Sequence, residues 1–288
     1  MARAKNQGNG KGMGLHARRI IAYIVLILLS FFSLVWFYIL IINSTRSKGE
    51  LNRGFTLIPS THLWENWLNV YHGTQPIIKG LRNSLVISAS SAVLCTYFST
   101  MTAYAIHAYD FKLKKFMYTF ILAIMMIPTQ VTVLGFITFM NKLGLMDSYI
   151  PLIIPTIAAP ATFFYMKQYM DSVLPMEIIE AARIDGSGEF RTFNSIILAI
   201  MKPAIAVQAI FTFVSSWNNY FIPTQIIETD SKRTLPILIA LLRSADFLKF
   251  DMGQVYVTIA FAILPVVIVY LFLSKYIVGN VAMGAVKG

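Results

Sequence analysis

Apolar residues run through this chain in long unbroken blocks, not in the alternating or helical-stripe patterns of a half-buried element. Six stretches contain no Asp, Glu, Lys or Arg: 20–42, 83–109, 116–141, 148–166, 203–227 and 252–274. A membrane-crossing helix needs about 20 mostly apolar residues. In lipid each backbone polar group must find an internal partner, which leaves helices or closed barrels. The pattern therefore predicts an all-α polytopic membrane protein with six transmembrane helices, one per stretch. Pro151, Pro155 and Pro160 fall in the fourth stretch and should kink or loosen it, because proline removes a helical hydrogen bond.

The polar positions between the blocks set the orientation. Arg3, Lys5, Lys11, Arg18 and Arg19 precede the first block, and Lys112, Lys114 and Lys115 crowd the turn after the second. Excess Lys and Arg mark the cytoplasmic side. Residues 1–19 thus read as a basic cytoplasmic N-terminus and 275–288 as a cytoplasmic tail, with 43–82 and 228–251 outside. The first block is too long for the ~7–15-residue core of a secretory signal, and no small-residue cleavage site follows it, so it reads as an uncleaved span.

Composition agrees: 57% of residues are hydrophobic and 13% charged, against about 45–50% and 25% in soluble domains. The net charge of +11 does not indicate nucleic acid, because the bases form no stripe; membrane lipid at the span ends explains the sign. Cys95 is the single cysteine, and His16, His62, His72 and His107 show no i, i+4 pair, so no metal site is expected. No GxxxxGK[ST] loop is present, nor any nucleophile–base spacing. A transporter working alone usually carries charges inside its spans; the six blocks, as bounded, carry none.

One polar island stands out in the connection between the fourth and fifth blocks: EAARIDGSGEF, 180–190. Met176–Ile184 is rich in helix formers, Pro175 sits at a favourable start, and Glu177 suits the positive helix end. Gly186 is placed to end the helix with positive φ. Ile178, Ala181 and Ala182 should share a face, with Ile179 at its edge. Asp185 can cap nearby N–H groups. So short a helix is unstable alone and needs a surface. It is either a simple joint between spans or a docking helix, whose alanines admit a partner backbone and whose Glu180 offers a carboxylate to a partner arginine.

Glu180-Ala181-Ala182, Asp185-Gly186, then Phe193, Ile196, Leu198 and Pro203 follow the EAA-loop pattern. The segment resembles the cytoplasmic loop of ATP-binding-cassette (ABC) importer permeases. GLMDSYIPLIIP (144–155), WNNYFIP (217–223) and the tail GAVKG (284–288) are similar to the carbohydrate-uptake type, of which the six-span maltose-permease subunit is an example. The resemblance covers about 83–288. Ala199 departs from it, standing where the family usually has proline, so helix continuity there should differ.

The resemblance implies a coupling helix docked on an ATPase subunit through Glu180, Ala181, Ala182, Asp185 and Gly186. It implies as partners a second permease chain, two ABC ATPase subunits and an extracytoplasmic sugar-binding protein, in a bacterial cytoplasmic membrane. ATP and Mg would sit on the ATPase subunits, with no cofactor on this chain. Gly284, Ala285, Val286, Lys287 and Gly288 are either a frayed end or a tail reaching the ATPase interface. Leu235–Leu242 reads as an outer apolar helix at the membrane surface or against the binding protein. Trp217, Asn218, Asn219 and Tyr220, with Gln130, offer the aromatic and polar groups a sugar pathway needs, or else pack helices. In the maltose type the sugar is held largely by the partner permease.

Overall fold

The computed structural model describes residues 10–243 and 251–284, and every regular element among them is helical. In chain order these are α1 (Gly10–Ser44), α2 (Lys48–Asn52), α3 (Leu63–Tyr71), α4 (Ile77–Ala108), α5 (Lys114–Ile124), α6 (Thr129–Lys142), α7 (Ile150–Ile153) and α8 (Pro160–Val173). Then come α9 (Met176–Ile184), α10 (Glu189–Thr192), α11 (Leu198–Ile200), α12 (Lys202–Trp217), α13 (Phe221–Ile226), α14 (Leu235–Arg243) and α15 (Met252–Gly284). The chain divides into two compact units, one reaching Asn69 and including Asp251–Ala260, the other holding the remainder.

In the first unit, α1 exposes apolar side chains on every side, from Ile20 and Tyr23 to Trp36 and Ile41. Such a helix belongs in lipid or against other helices. Beyond it the chain turns on side-chain hydrogen bonds. Ser47 and Glu50 form a capping box over α2, which satisfies two orphan N–H donors at once. Buried Asn66 of α3 donates to the carbonyls of Ser44 (3.0 Å) and Arg46 (2.9 Å). Gly253 lies against this junction: a Cβ there would stand 2.8 Å from Asn66 Oδ1 and 2.9 Å from the Arg46 carbonyl.

In the second unit α4 is the packing axis, touching α8, α12, α14 and the α7 region. Its buried face is rich in small residues, among them Gly80, Ser84, Ser88, Ser91, Cys95, Ser99 and Ala103. Lipid gives helices no hydrophobic reason to associate, so close backbone approach past small side chains is what holds them. At Gly80 an added Cβ would collide with Leu238 of α14, and Ser84 Oγ accepts the Leu235 N–H at 2.8 Å. α14 is thus the helix expected at 235–242, but its Leu235, Ile237 and Leu238 are buried inside the chain.

The expected spans differ from the helices in three places. Residues 116–141 form two helices, α5 and α6, because Pro128 takes an extended conformation (φ −62°, ψ 128°) as the N-cap of α6 and disfavours helix in the residue before it. Residues 203–227 break after Trp217 and resume as α13. The fourth segment extends to Val173 and is helical in pieces, with a 3₁₀ turn at Ile154–Ile157 and a new start at Pro160, as its prolines require. Among the described residues, four helical segments are long and apolar enough to cross a membrane, His16–Ser44, Ile77–Ala108, Ile150–Val173 and Met252–Ile277. A fifth is added if Glu189–Ile200 and Lys202–Trp217, bent by 81°, count as one. Ala199 stays helical, and the break comes at Met201, after which α12 starts at Lys202 with Pro203 in its first turn.

Candidate functional site

α9 spans Met176–Ile184, the range its sequence predicts. Its C-terminus closes by backbone bonds: Gly186 N–H donates to Arg183 O (3.0 Å) and Ser187 N–H to Ala182 O (2.9 Å). This paired closure needs a left-handed residue at the turn, and Gly186 supplies it with φ +74°. The Asp185 backbone N–H donates to Ala181 O, so the turn closes through main-chain groups rather than through the Asp185 carboxylate.

The face that α9 buries is not the one expected. Ile179 is fully buried and Ala182 nearly so, while Ala181 is exposed. Ile179 and Ala182 are three residues apart and lie over one another on the helix. Ile179 seats on a core that joins Tyr104 and Ile106 of α4, Met166 and Met170 of α8, and Phe193 and Ile197. The opposite face carries Glu180, Ala181, Ile184 and Asp185 to solvent, with Ile184 86% exposed. An isoleucine exposed to that degree beside a carboxylate is suited to a partner surface.

A charged hub missed in the sequence reading fixes α9 from its C-terminal side. Glu189 accepts from Arg183 Nε (2.8 Å) and from Tyr104 Oη (3.0 Å). The Arg183 guanidinium also lies over the Tyr109 ring, 5.4 Å from its centroid. The signal was visible as an arginine and a glutamate flanking DGSG, but only folding brings the two tyrosines to them. Beyond the hub, Phe193–Ile197 forms a π-helical turn, a local widening of the helix common at functional sites. From α9 to the bend at Met201, then, packed and hydrogen-bonded elements run without a gap.

Higher in the same unit, α4, the α7–α8 segment and α12 surround an open cavity of about 680 Å³. Tyr165, Gln208, Thr156, Ser215 and Asn219 give it polar and aromatic walls. Cys95 lies in its wall, with Thr212 Oγ1 donating to its sulfur at 3.5 Å and its thiol donating to Thr162 Oγ1 at 3.4 Å.

Residues 96–282 match the family of binding-protein-dependent transport system inner membrane components. The chain belongs to that family. It is 33% identical over 276 residues to the arabinooligosaccharides transport system permease protein AraQ of Bacillus subtilis (strain 168), covering 94% of this chain and 96% of that protein. It is 33% identical over 229 residues to the sn-glycerol-3-phosphate transport system permease protein UgpE of Yersinia pestis, covering 77% of this chain and 81% of that one. Its fold matches a chain of a bacterial ABC transporter involved in the import of the acidic polysaccharide alginate, with TM-score 0.77, 20% identity, and coverage of 96% of this chain and 99% of that chain.

In this inner membrane component the sequence-derived pathway candidates do not come together. Asn219 lines the cavity. Trp217 is buried and stacks on Phe213 (5.6 Å between centroids). Asn218 and Tyr220 face outward, and Gln130 is exposed on α6, outside the cavity. Gly284 ends α15, while Ala285, Val286, Lys287 and Gly288 lie outside the described residues. At the segment resembling the fourth-span approach, Asp147 has φ +52° and clamps the 228–232 turn. Its carboxylate accepts from the Glu228 and Thr229 N–H groups (3.1 and 3.0 Å), Thr229 Oγ1 (2.6 Å) and Lys232 Nζ (2.7 Å). The Lys232 ammonium and the Thr229 donors hold this carboxyl well below the usual carboxylate range.

Proposed function

We propose that this chain is the membrane-spanning subunit of an ATP-driven importer for a sugar or oligosaccharide. In this reading it converts closure of the partner ATPase subunits into alternating access. The observation that carries the reading is the two-faced α9: Ile179 and Ala182 root it in the helical core beneath it, while Glu180, Ala181, Ile184 and Asp185 face outward. Rigid-body motion passes through such a joint because packed elements move as units. Glu180, Ala181 and Asp185 contact the ATPase subunit, Gly186 sets the turn, and Ala182 acts from below as an anchor.

ATP and Mg bind on two ABC ATPase subunits, and a second permease chain completes the pore. An extracytoplasmic binding protein delivers the solute, and both termini of this chain are cytoplasmic in a bacterial membrane. The tail from Gly284 reaches the ATPase interface. The cavity containing Gln208, Tyr165 and Asn219 lies on the solute route. The sugar class rests on relatives named for arabinooligosaccharides and diacetylchitobiose. A second reading, import of another small solute, is favoured by the relatives named for sn-glycerol-3-phosphate.

Co-expression with a partner permease and ATPase, followed by purification and reconstitution, tests the proposal. The expected result is ATP-dependent uptake and recovery of the ATPase with wild-type chain, and loss of that recovery in Glu180→Arg/Ala181→Trp. Uptake by the chain alone in liposomes without ATP would sink it.

A further inference from the structure

The turn between α4 and α5, with the facing side of α8, borders a second, open cavity of about 490 Å³. Four lysines line it, Lys112, Lys114, Lys115 and Lys167, against two acids, Asp110 and Asp171. Asp171 is already neutralised by Lys167 at 2.5 Å and held by the His107 ring at 2.9 Å. Asp110 is fully exposed and stands 4.0 Å from Lys114, a pairing that water reduces to little. Among the described residues no carboxylate lies within ion-pair distance of Lys112 or Lys115, and both are exposed. The cavity therefore has a net positive charge with two cations to offer.

The same helix continues as an apolar ridge. Phe116 and Phe120, at 65% and 55% exposure, stack with 5.9 Å between centroids, and Ile124 follows one turn on. A free anion would use the lysines and leave the ridge bare. Phe116, Phe120 and Ile124 do not line the pocket, but the two free cations stand at the start of their face, Lys112 four residues before Phe116 and Lys115 next to it. Cations and ridge together have the two-part chemistry of a phospholipid, with a charged head and apolar tails. We propose that this pocket binds the headgroup phosphate of an anionic phospholipid, with its acyl chains along Phe116, Phe120 and Ile124. The bound lipid cross-links the α4–α5 turn to α8.

The test uses the chain assembled with its partners, purified in detergent and relipidated either with phosphatidylcholine alone or with phosphatidylglycerol added. Each protein's melting is compared with its own phosphatidylcholine baseline. Wild type should gain about 2–4 °C from phosphatidylglycerol, a modest shift for a domain of this size, and Lys112→Gln/Lys115→Gln should lose that gain. Arg18→Gln/Arg19→Gln, which removes the same charge elsewhere, should keep it, and inorganic phosphate should give none. Equal gains in wild type and the lysine variant, an equal loss in the arginine variant, or a full gain from phosphate would each overturn the proposal.

Discussion

Replacing Ile179 with alanine should loosen α9 from the helical core beneath it without unfolding the spans. The side chain is fully buried among α4, α8 and the π-helical turn. Burying an isoleucine is worth about 1.5–3 kcal/mol, and truncation to alanine in a core costs about 2–5 kcal/mol once the cavity is included. A loss of ~3 kcal/mol corresponds to a shift of about a hundredfold in the docking equilibrium of α9. A helix of nine residues has little stability of its own to offset this. Hydrogen exchange reads the change directly, because local opening exposes the α9 amides. Protection across Met176–Ile184 should fall about a hundredfold in Ile179→Ala. Ile184→Ala, at a position 86% exposed, should leave it unchanged. In the reconstituted importer, solute moved per ATP should drop in Ile179→Ala while the ATPase still copurifies, because the outward face is intact. Protection within about threefold of wild type would refute the claim that Ile179 anchors the helix.

Gly253→Ala would drive a methyl against Asn66 Oδ1 and the Arg46 carbonyl and should destabilise by about 1–3 kcal/mol, seen as a lower thermal midpoint. Gly186→Val meets no neighbour within 4 Å but must hold φ +74°, so it should cost about 1–2 kcal/mol through backbone strain alone; hydrogen exchange at Ser187 should rise. Asp147 has a lowered folded-state value, so its stabilising share is full above the unfolded carboxylate value of about 3.9 and is lost as pH falls below that. Asp147→Asn should therefore lower the midpoint at pH 7, and the gap to wild type should begin to close only below about pH 3.9, closing further as pH falls towards the folded value. Glu189→Gln should cost at most about 1 kcal/mol, since the Arg183 pair is partly exposed, yet it should increase exchange in α9.

Apolar block length made the membrane class legible, because lipid leaves helices and barrels as the only solutions. Local chemistry made α9 legible to the residue: Pro175 starts it and Gly186 ends it, and both act through their own backbone angles. The prolines likewise announced the broken fourth segment. Hydrophobic length could not reveal the interruption at Pro128 or after Trp217, since uncharged residues continue through both. Nor could periodicity place Ile179 at the centre of the buried face, because α9 is apolar or small over much of its circumference and its orientation is set by the core beneath it.

The sites depended even more on tertiary structure. Glu189 gains Tyr104 from a helix 85 residues earlier in the chain, and Asp147 gains Lys232 from 85 residues later. Lys167 joins Lys112, Lys114 and Lys115 only because α8 packs beside α5. The sequence by itself determined what each segment prefers: lipid or water, helix or turn. Which faces meet was decided by three-dimensional packing, because helices in lipid associate through shape and paired polar groups, and neither leaves a periodic trace along the chain.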